Sequence, residues 1–391
     1  MWKRVHVYYY DDAKENLVLD GIRPALQALE QMPGVSGSYL RRHWKFGPHI
    51  ALYLEVESEE VFSSQVWPYL QETLGAYLQD HPSRQELDPV QYLERSVTLG
   101  AWELEPGPYE PLQPDNSMSL HPYGQLAGVL KGEHVLQTME WFWKKSTGLM
   151  LDLLDATRGD LPSRQLYLIK LMAAVAHLYP VDGIVRGQLS YRSHAEAYFV
   201  SFDQDGRLQK MFSTQDQQVA PFVDEAVLSV LNETDEDGVY GGPDPLLRQW
   251  SQLMKELYET CLEQARQGRL TSDTSHYSEL AEEIGESARE RWIGEWDEAK
   301  QSEFHKELNE VISDQFFSSP QFSSYRMLVN SFYTYLPLMG INPNMKHLLC
   351  YLISRSVERI AGVDWKGIFY KQGPKGRNGW KGGRPSHEAE K

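Results

Sequence analysis

Cysteine is scarce: Cys261 and Cys350 are the only two in 391 residues. Two thiols build neither a disulfide framework nor a four-sulfur zinc site, so the composition points to a reducing cytoplasm. Long apolar runs are also missing. The best, Leu166–Leu178, is interrupted by Lys170 and His177, which excludes an ordinary membrane-spanning helix. Positive charge is in deficit, with 38 Lys+Arg against 55 Asp+Glu and a net charge of −17. That balance repels polyanions, so neither a nucleic acid nor a membrane is the expected partner. The opening Met1-Trp2-Lys3-Arg4 leads into a strand-like segment, not an apolar signal core.

Familiar catalytic signatures are absent as well. The chain has no G-x-x-x-x-G-K-S/T loop, no G-x-G-x-x-G after a strand, no G-x-S-x-G and no H-E-x-x-H. What is present is a core-forming composition, 41% hydrophobic and 12% aromatic, sufficient to bury a substantial interior. The expectation is an acidic, soluble globular protein.

The periodicities predict an α+β fold with two ferredoxin-like regions, antiparallel sheets and a helical C-terminal portion. Val5–Tyr10 reads as a strand and 16–31 as a helix stopped by Met32-Pro33-Gly34. Ser38–Phe46 and His49–Val56 read as paired strands around Gly47-Pro48. In the second, Ile50, Leu52, Leu54 and Val56 alternate with more polar positions. Helix returns over 59–79, and Ser96–Leu104 is the expected closing strand of a β-α-β-β-α-β region within 1–105. Four prolines between Glu105 and Ser119 predict a linker or surface loop. In a central α/β region, 106–243, helices over 133–156, 163–178 and 217–231 accompany strands over 184–190 and 196–202. Residues 244–365 are expected to be mainly helical, and 366–391, without apolar periodicity, a flexible tail.

Three segments concentrate polar chemistry. Arg41, Arg42, His43, Trp44, Lys45 and His49 crowd a tight turn, where guanidinium forks suit a carboxylate or phosphate and an indole stacks on a planar ligand. The bland alternative is a solvated hairpin whose cations offset nearby carboxylates. His43 and His49 would need a third ligand to hold a metal, and none is evident. Next, Tyr191, Arg192, His194 and Glu196 stand near a strand-like stretch. On an extended chain Arg192, His194 and Glu196 share one face and form an acid–base unit, the alternative being an exposed ion-pair ladder. Last, Arg326 and Asn330 are four apart on a predicted helix. Trp292 and Trp296 are four apart on a charged helix expected over 279–300. Their face packs either on the core or on a second copy of the chain in a homodimer.

Taken together, these segments resemble the C-terminal domain family of class I lanthipeptide dehydratases, the SpaB C-terminal or thiopeptide-type bacteriocin biosynthesis family. The likeness rests on Leu40–Tyr53, on Leu189–His194 and on Met327-Leu328-Val329-Asn330. Glutamate-eliminating members carry two arginines just after the His-Ile pair, a histidine before the late Met and an arginine after the Asn. This chain has Ala51 and Tyr53, Arg326 and Ser331 there. The resemblance therefore implies a kept fold without the eliminating residues. Stand-alone members imply work on a leader-bearing, ribosomally made precursor peptide beside other biosynthetic enzymes. One such activity is the pyridine-synthase cyclisation of two dehydroalanines. Another is FMN-dependent oxidation of a peptide side chain such as an added C-terminal Trp, with the 41–49 turn on the flavin phosphate. A non-catalytic peptide-binding module is the third. Tyr191, Arg192, His194 and Glu196 are the expected catalytic group, while Arg41–Lys45, His49, Arg326 and Asn330 are the expected binding group.

Overall fold

The structure is a computed structural model and describes residues 1–123, 132–271, 275–292, 301–312 and 314–370. The chain divides into two compact units. The first comprises Met1–Arg164, Asp273–Glu295 and Asn330–Asn342, and the second Gln165–Ser272, Trp296–Val329 and Pro343–Lys391.

The first unit is built on one antiparallel sheet of four strands: β1 (Trp2–Tyr8), β2 (Val35–His43), β3 (His49–Val56) and β4 (Ser117–His121). They lie in the order β2-β3-β1-β4. Helical segments, Leu17–Ile22 running into Arg23–Leu29 and Trp67–Asp80, fall between β1 and β2 and between β3 and β4. This is the expected β-α-β-β-α-β order. On one face Val5, Val7, Ile50, Leu52 and Leu54 are completely buried, as the alternation of β3 requires.

The closing strand is not Ser96–Leu104. That stretch lies in the helix Pro89–Glu103, started by Asp88, whose carboxylate accepts from the amides of Val90 and Gln91, with Pro89 in the first turn. β4 instead emerges from the proline-rich stretch expected to be a loop, and pairs with β1 from Arg4↔His121 to Tyr8↔Ser117. The Glu133–Ala156 helix forms as expected and packs against β2.

The second unit is helical, and no second sheet exists among the described residues. The two strands expected over 184–190 and 196–202 are one helix, Ile184–Phe202. Its buried residues Ile184, Gly187, Gln188, Tyr191, Ala195 and Phe199 recur at helical spacing. It packs against the Pro343–Ala361 helix, which also packs on Arg207–Leu231. Gly187 allows the closest approach: a Cβ there would lie 2.0 Å from the carbonyl oxygen of Ala176 on the preceding helix, Leu161–His177. A short helix, Trp365–Tyr370, occupies the start of the expected tail, whose remainder, 371–391, lies outside the described residues. No described helix is long and apolar enough to cross a membrane.

Candidate functional site

Pairing across β2-β3-β1-β4 arranges the second sheet face as a lattice. One row reads His43, His49, Tyr8 and Ser117; the next Arg41, Ala51, His6 and Ser119; the third Tyr39, Tyr53, Arg4 and His121. Directly paired residues of antiparallel strands point to the same side, so twelve side chains share this face. None is a carboxylate. Tyr8, Tyr39, His6 and His49 are at most 1% exposed, an unusual burial for polar groups.

Three imidazoles stack along the lattice diagonal. His6 lies 3.9 Å from His49 and 3.7 Å from His121, ring centre to ring centre, with interplanar angles of 18° and 16°. Hydrogen bonds set the protons. Nδ1 of His49 is 2.9 Å from the carbonyl of Gly47, which only accepts, so Nδ1 carries the proton and Nε2 a lone pair. The Tyr8 hydroxyl is 3.0 Å from both His6 Nδ1 and His121 Nε2. It has one proton to give. The less costly arrangement has His6 donate to Tyr8 and Tyr8 to His121, because the reverse would bury an Nε2–H of His6 with no acceptor. Ser119 also reaches His121 Nε2, at 2.9 Å. His6 and His49 thus each hold a buried, unpartnered Nε2 lone pair.

Burial, reinforced by mutual repulsion and by Arg4, keeps these imidazoles neutral. His49 is pushed down to about 3 and His121 to about 4, while His6 and His43 are held well below the ordinary range. Burial likewise raises Tyr8 to about 12, so its hydroxyl stays a donor.

The β2–β3 turn disperses the cations expected to act together. Lys45 is buried in an ion pair 2.7 Å from Glu105 and donates to the carbonyl of Pro106 at 2.5 Å. Arg42 points to the opposite face, 3.6 Å from Asp12. The Trp44 indole stacks on His43 and donates to Glu103 at 2.8 Å. Only Arg41, His43 and His49 of this group reach the polar face, where the Arg41 guanidinium lies 5.0 Å from the centre of the Trp143 ring. Arg41 has no ion-pair partner among the described residues. The turn therefore does not form the cradle expected for a flavin phosphate, since two of its three cations are already neutralised. No group of three His, Cys, Asp or Glu side chains suited to a metal occurs among the described residues.

The expected acid–base unit is also rearranged, because its backbone is helical. Arg192 and Glu196, one turn apart, pair at 2.7 Å, and Arg192 also faces Glu358 at 3.5 Å. His194, two residues on, is carried to another face of the helix. Burial holds His194 neutral, reinforced by the cations Lys346 and Arg326. The second unit thus gives Arg192 and Glu196 to an ion-pair network and separates them from His194. Tyr191 is fully buried, its hydroxyl donating to the carbonyl of Met172 at 3.1 Å. Arg326 and Asn330 lie one turn apart on the helix Pro320–Tyr333, and Asn330 is exposed. Trp292 packs on a cluster of Ala101, Leu104, Ala281 and Ala288 and donates to the carbonyl of Ala101 at 2.9 Å. The core alternative therefore holds for Trp292, and Trp296 lies outside the described residues.

His6, Tyr8 and His121 were not foreseen. For His6 and Tyr8 the one local signal was the alternation of Arg4, His6 and Tyr8 along β1, which puts three polar groups on the side opposite Val5 and Val7.

Residues 2–357 match the family model described as lantibiotic biosynthesis dehydratase C-term, and the chain belongs to that family. Among solved structures, the pyridine synthase TbtD from thiomuracin biosynthesis superposes with a TM-score of 0.70 at 23% identity, over 92% of this chain and 99% of that one. TsrL superposes with a TM-score of 0.68 at 18% identity, over 96% and 99%. None of the curated proteins compared is a sequence match.

Proposed function

We propose that this protein is an enzyme acting on a leader-bearing, ribosomally made precursor peptide, and that its reaction is pyridine-synthase-type cyclisation of two dehydroalanines. Family membership and the similarity to TbtD over almost the full length of both chains support this reading. The observation that carries it is the pair of buried lone pairs on His6 and His49 in a face with no carboxylate and with Arg41 close by in the lattice.

Joining two dehydroalanines and aromatising the ring calls for positioned donors and a returning proton, not a strong nucleophile. In this reading the Arg41 guanidinium donates to the amide oxygen that becomes the leaving hydroxyl. His6 or His49 takes the proton from the amide nitrogen as the carbon–carbon bonds close. The imidazolium formed in so dry a site is a stronger acid than one in water, because burial disfavours its charge. It returns that proton to the former amide oxygen, giving the ring hydroxyl. The hydroxyl then leaves as water with a proton lost from one ring methylene, and the leader leaves as its amide with a proton lost from the other, which makes the ring aromatic.

The test is single-turnover cyclisation of the authentic dehydrated precursor, followed by mass spectrometry for water loss and leader release. His6→Phe and His49→Phe each keep a stacked ring but no lone pair, and the one that removes the base is expected to lower the rate by about 10²–10⁴-fold with the far-UV circular dichroism unchanged. Wild-type protein that binds the precursor but never converts it would replace this reading with that of a binding module.

A further inference from the structure

At the C-terminal end of the Ile184–Phe202 helix the second unit has an open groove of about 350 Å³. Tyr198, Phe202, Leu208 and Met211 supply its apolar lining. The Tyr198 ring is held in place by the His347 ring, which lies flat on it at 4.0 Å and 2° from parallel. Phe202 and Met211 are 42% and 46% exposed, surface that an occupant would withdraw from water. The rim has two carboxylates, Asp203 and Asp205, against the one guanidinium of Arg207. Arg207 pairs with Asp205, while Asp203 meets only backbone amides, those of Leu208 and Gln209, so the groove has an excess of negative charge. Nearby, the helix Glu303–Val311 carries Glu303, Glu307 and Glu310 against Lys306.

The same chain holds a segment of the complementary kind. Residues 371–391 have six Lys and Arg against two Glu, whereas the whole chain has 38 against 55. Trp380 is the one large apolar side chain in that segment, with Lys375, Arg377, Lys381 and Arg384 around it. The segment starts beside the groove. The helix Trp365–Tyr370 is fastened to Glu303–Val311 through Trp365 and Phe369 on Phe304 and through the Tyr370 hydroxyl on Glu307. His305 of that helix in turn bonds Ser193 at 2.9 Å. Tyr198 lies five residues further along the Ser193 helix, an advance of about 7.5 Å. Ten residues separate Tyr370 from Trp380, a reach of up to about 33 Å.

We infer that residues 371–391 dock on this groove of their own chain, with the Trp380 indole between Tyr198, Phe202 and Met211 and the flanking cations against the acidic rim. An indole offers a flat apolar face to the tyrosine and phenylalanine rings and to the methionine sulfur. Attachment supplies the rest: a tether of ten residues holds Trp380 at a millimolar-scale local concentration, so a weak contact suffices. Docking also withholds Phe202 and Met211 from contact between copies of the chain.

The experiment is fluorine NMR on the full chain labelled with fluorotryptophan. Trp380→Phe assigns the Trp380 line, and a synthetic peptide of residues 371–391, labelled in the same way, gives its unbound position. In the full chain the line is expected away from that position and independent of protein concentration. Phe202→Ala combined with Met211→Ala, both at exposed positions, should return it there. Asp203→Asn, or salt at about 0.5 M, should return it part of the way. The unlabelled peptide should bind the full-length Trp380→Ala chain about 10-fold more tightly than the wild-type chain, whose attached segment competes for the groove. A wild-type line at the unbound position, a shifted line that the double substitution leaves unmoved, or equal peptide affinity for the two chains overturns the inference. A shift that grows with protein concentration assigns the segment to a second copy and overturns it as well.

Discussion

His6 and His49, on neighbouring antiparallel strands, stack at 3.9 Å although each is buried beyond the reach of water. Two imidazolium ions at that distance would repel strongly, so the stack exists only while both rings are neutral. Neutrality is what leaves an acceptor on each ring.

The same fact makes the fold acid-sensitive. The folded-state values of His49 and His121, about 3 and about 4, lie below the unfolded value near 6.5. Between those limits the unfolded chain binds more protons than the native one. Stability is therefore complete above about pH 6.5 and declines as pH falls toward 4. Melting temperatures measured from pH 7.5 to 4.5 should drop, and His49→Phe, which removes one of these protonations, should flatten the slope. An identical slope in the variant would remove His49 from this account.

Arg192 is expected to matter first for stability. It is bonded to Glu196 and faces Glu358, and these side chains are 12%, 12% and 5% exposed. Arg192→Ala leaves buried carboxylates short of a partner and should cost about 2–4 kcal/mol in urea unfolding. Combining it with Glu196→Ala should recover part of that loss. A rate loss above about 100-fold with unchanged unfolding would instead mark Arg192 as a reacting group.

Arg359 bridges two carboxylates of the Arg207–Leu231 helix, at 2.9 Å from Asp216 and 2.8 Å from Asp224. Since the guanidinium is 30% exposed, solvent screens part of the interaction, and Arg359→Ala should lower stability by about 1–3 kcal/mol. Asp216→Asn in the Arg359→Ala background should restore some of it, because the less exposed orphaned charge is then gone. Chemical denaturation of the four variants closes that cycle.

Gly187→Ala should be disproportionately damaging for one methyl group. Its Cβ would sit 2.0 Å from the Ala176 carbonyl, a backbone atom that moves only with its helix. We expect a loss of about 1–3 kcal/mol from forced separation, whereas Gly148→Ala, where a Cβ meets nothing within 4 Å, should be neutral or stabilising in its helix. Thermal unfolding of the two variants side by side provides the comparison.

Local periodicity determined a good deal. The alternation in His49–Val56 and the long amphipathic pattern over 133–156 each define an element of the structure from neighbours within a few residues. The helical stripe from Ile184 to Phe199 was also legible. It was overridden by aromatic and β-branched residues at either end, which read as strand when taken in short pieces. Two features were beyond any local reading. β4 is five residues, polar at every second position, and becomes a strand only because β1 offers it an edge. The site followed the same logic. His6, His49 and His121 are separated by 43 and 72 residues of chain, and register alone brings their rings into a stack. Sequence determined which side chains each strand presents to which face. The tertiary structure decided which of them meet, and by burying them together it decided that they are neutral, since the charge on an imidazole depends first on its burial and then on the charged groups the fold brings near it.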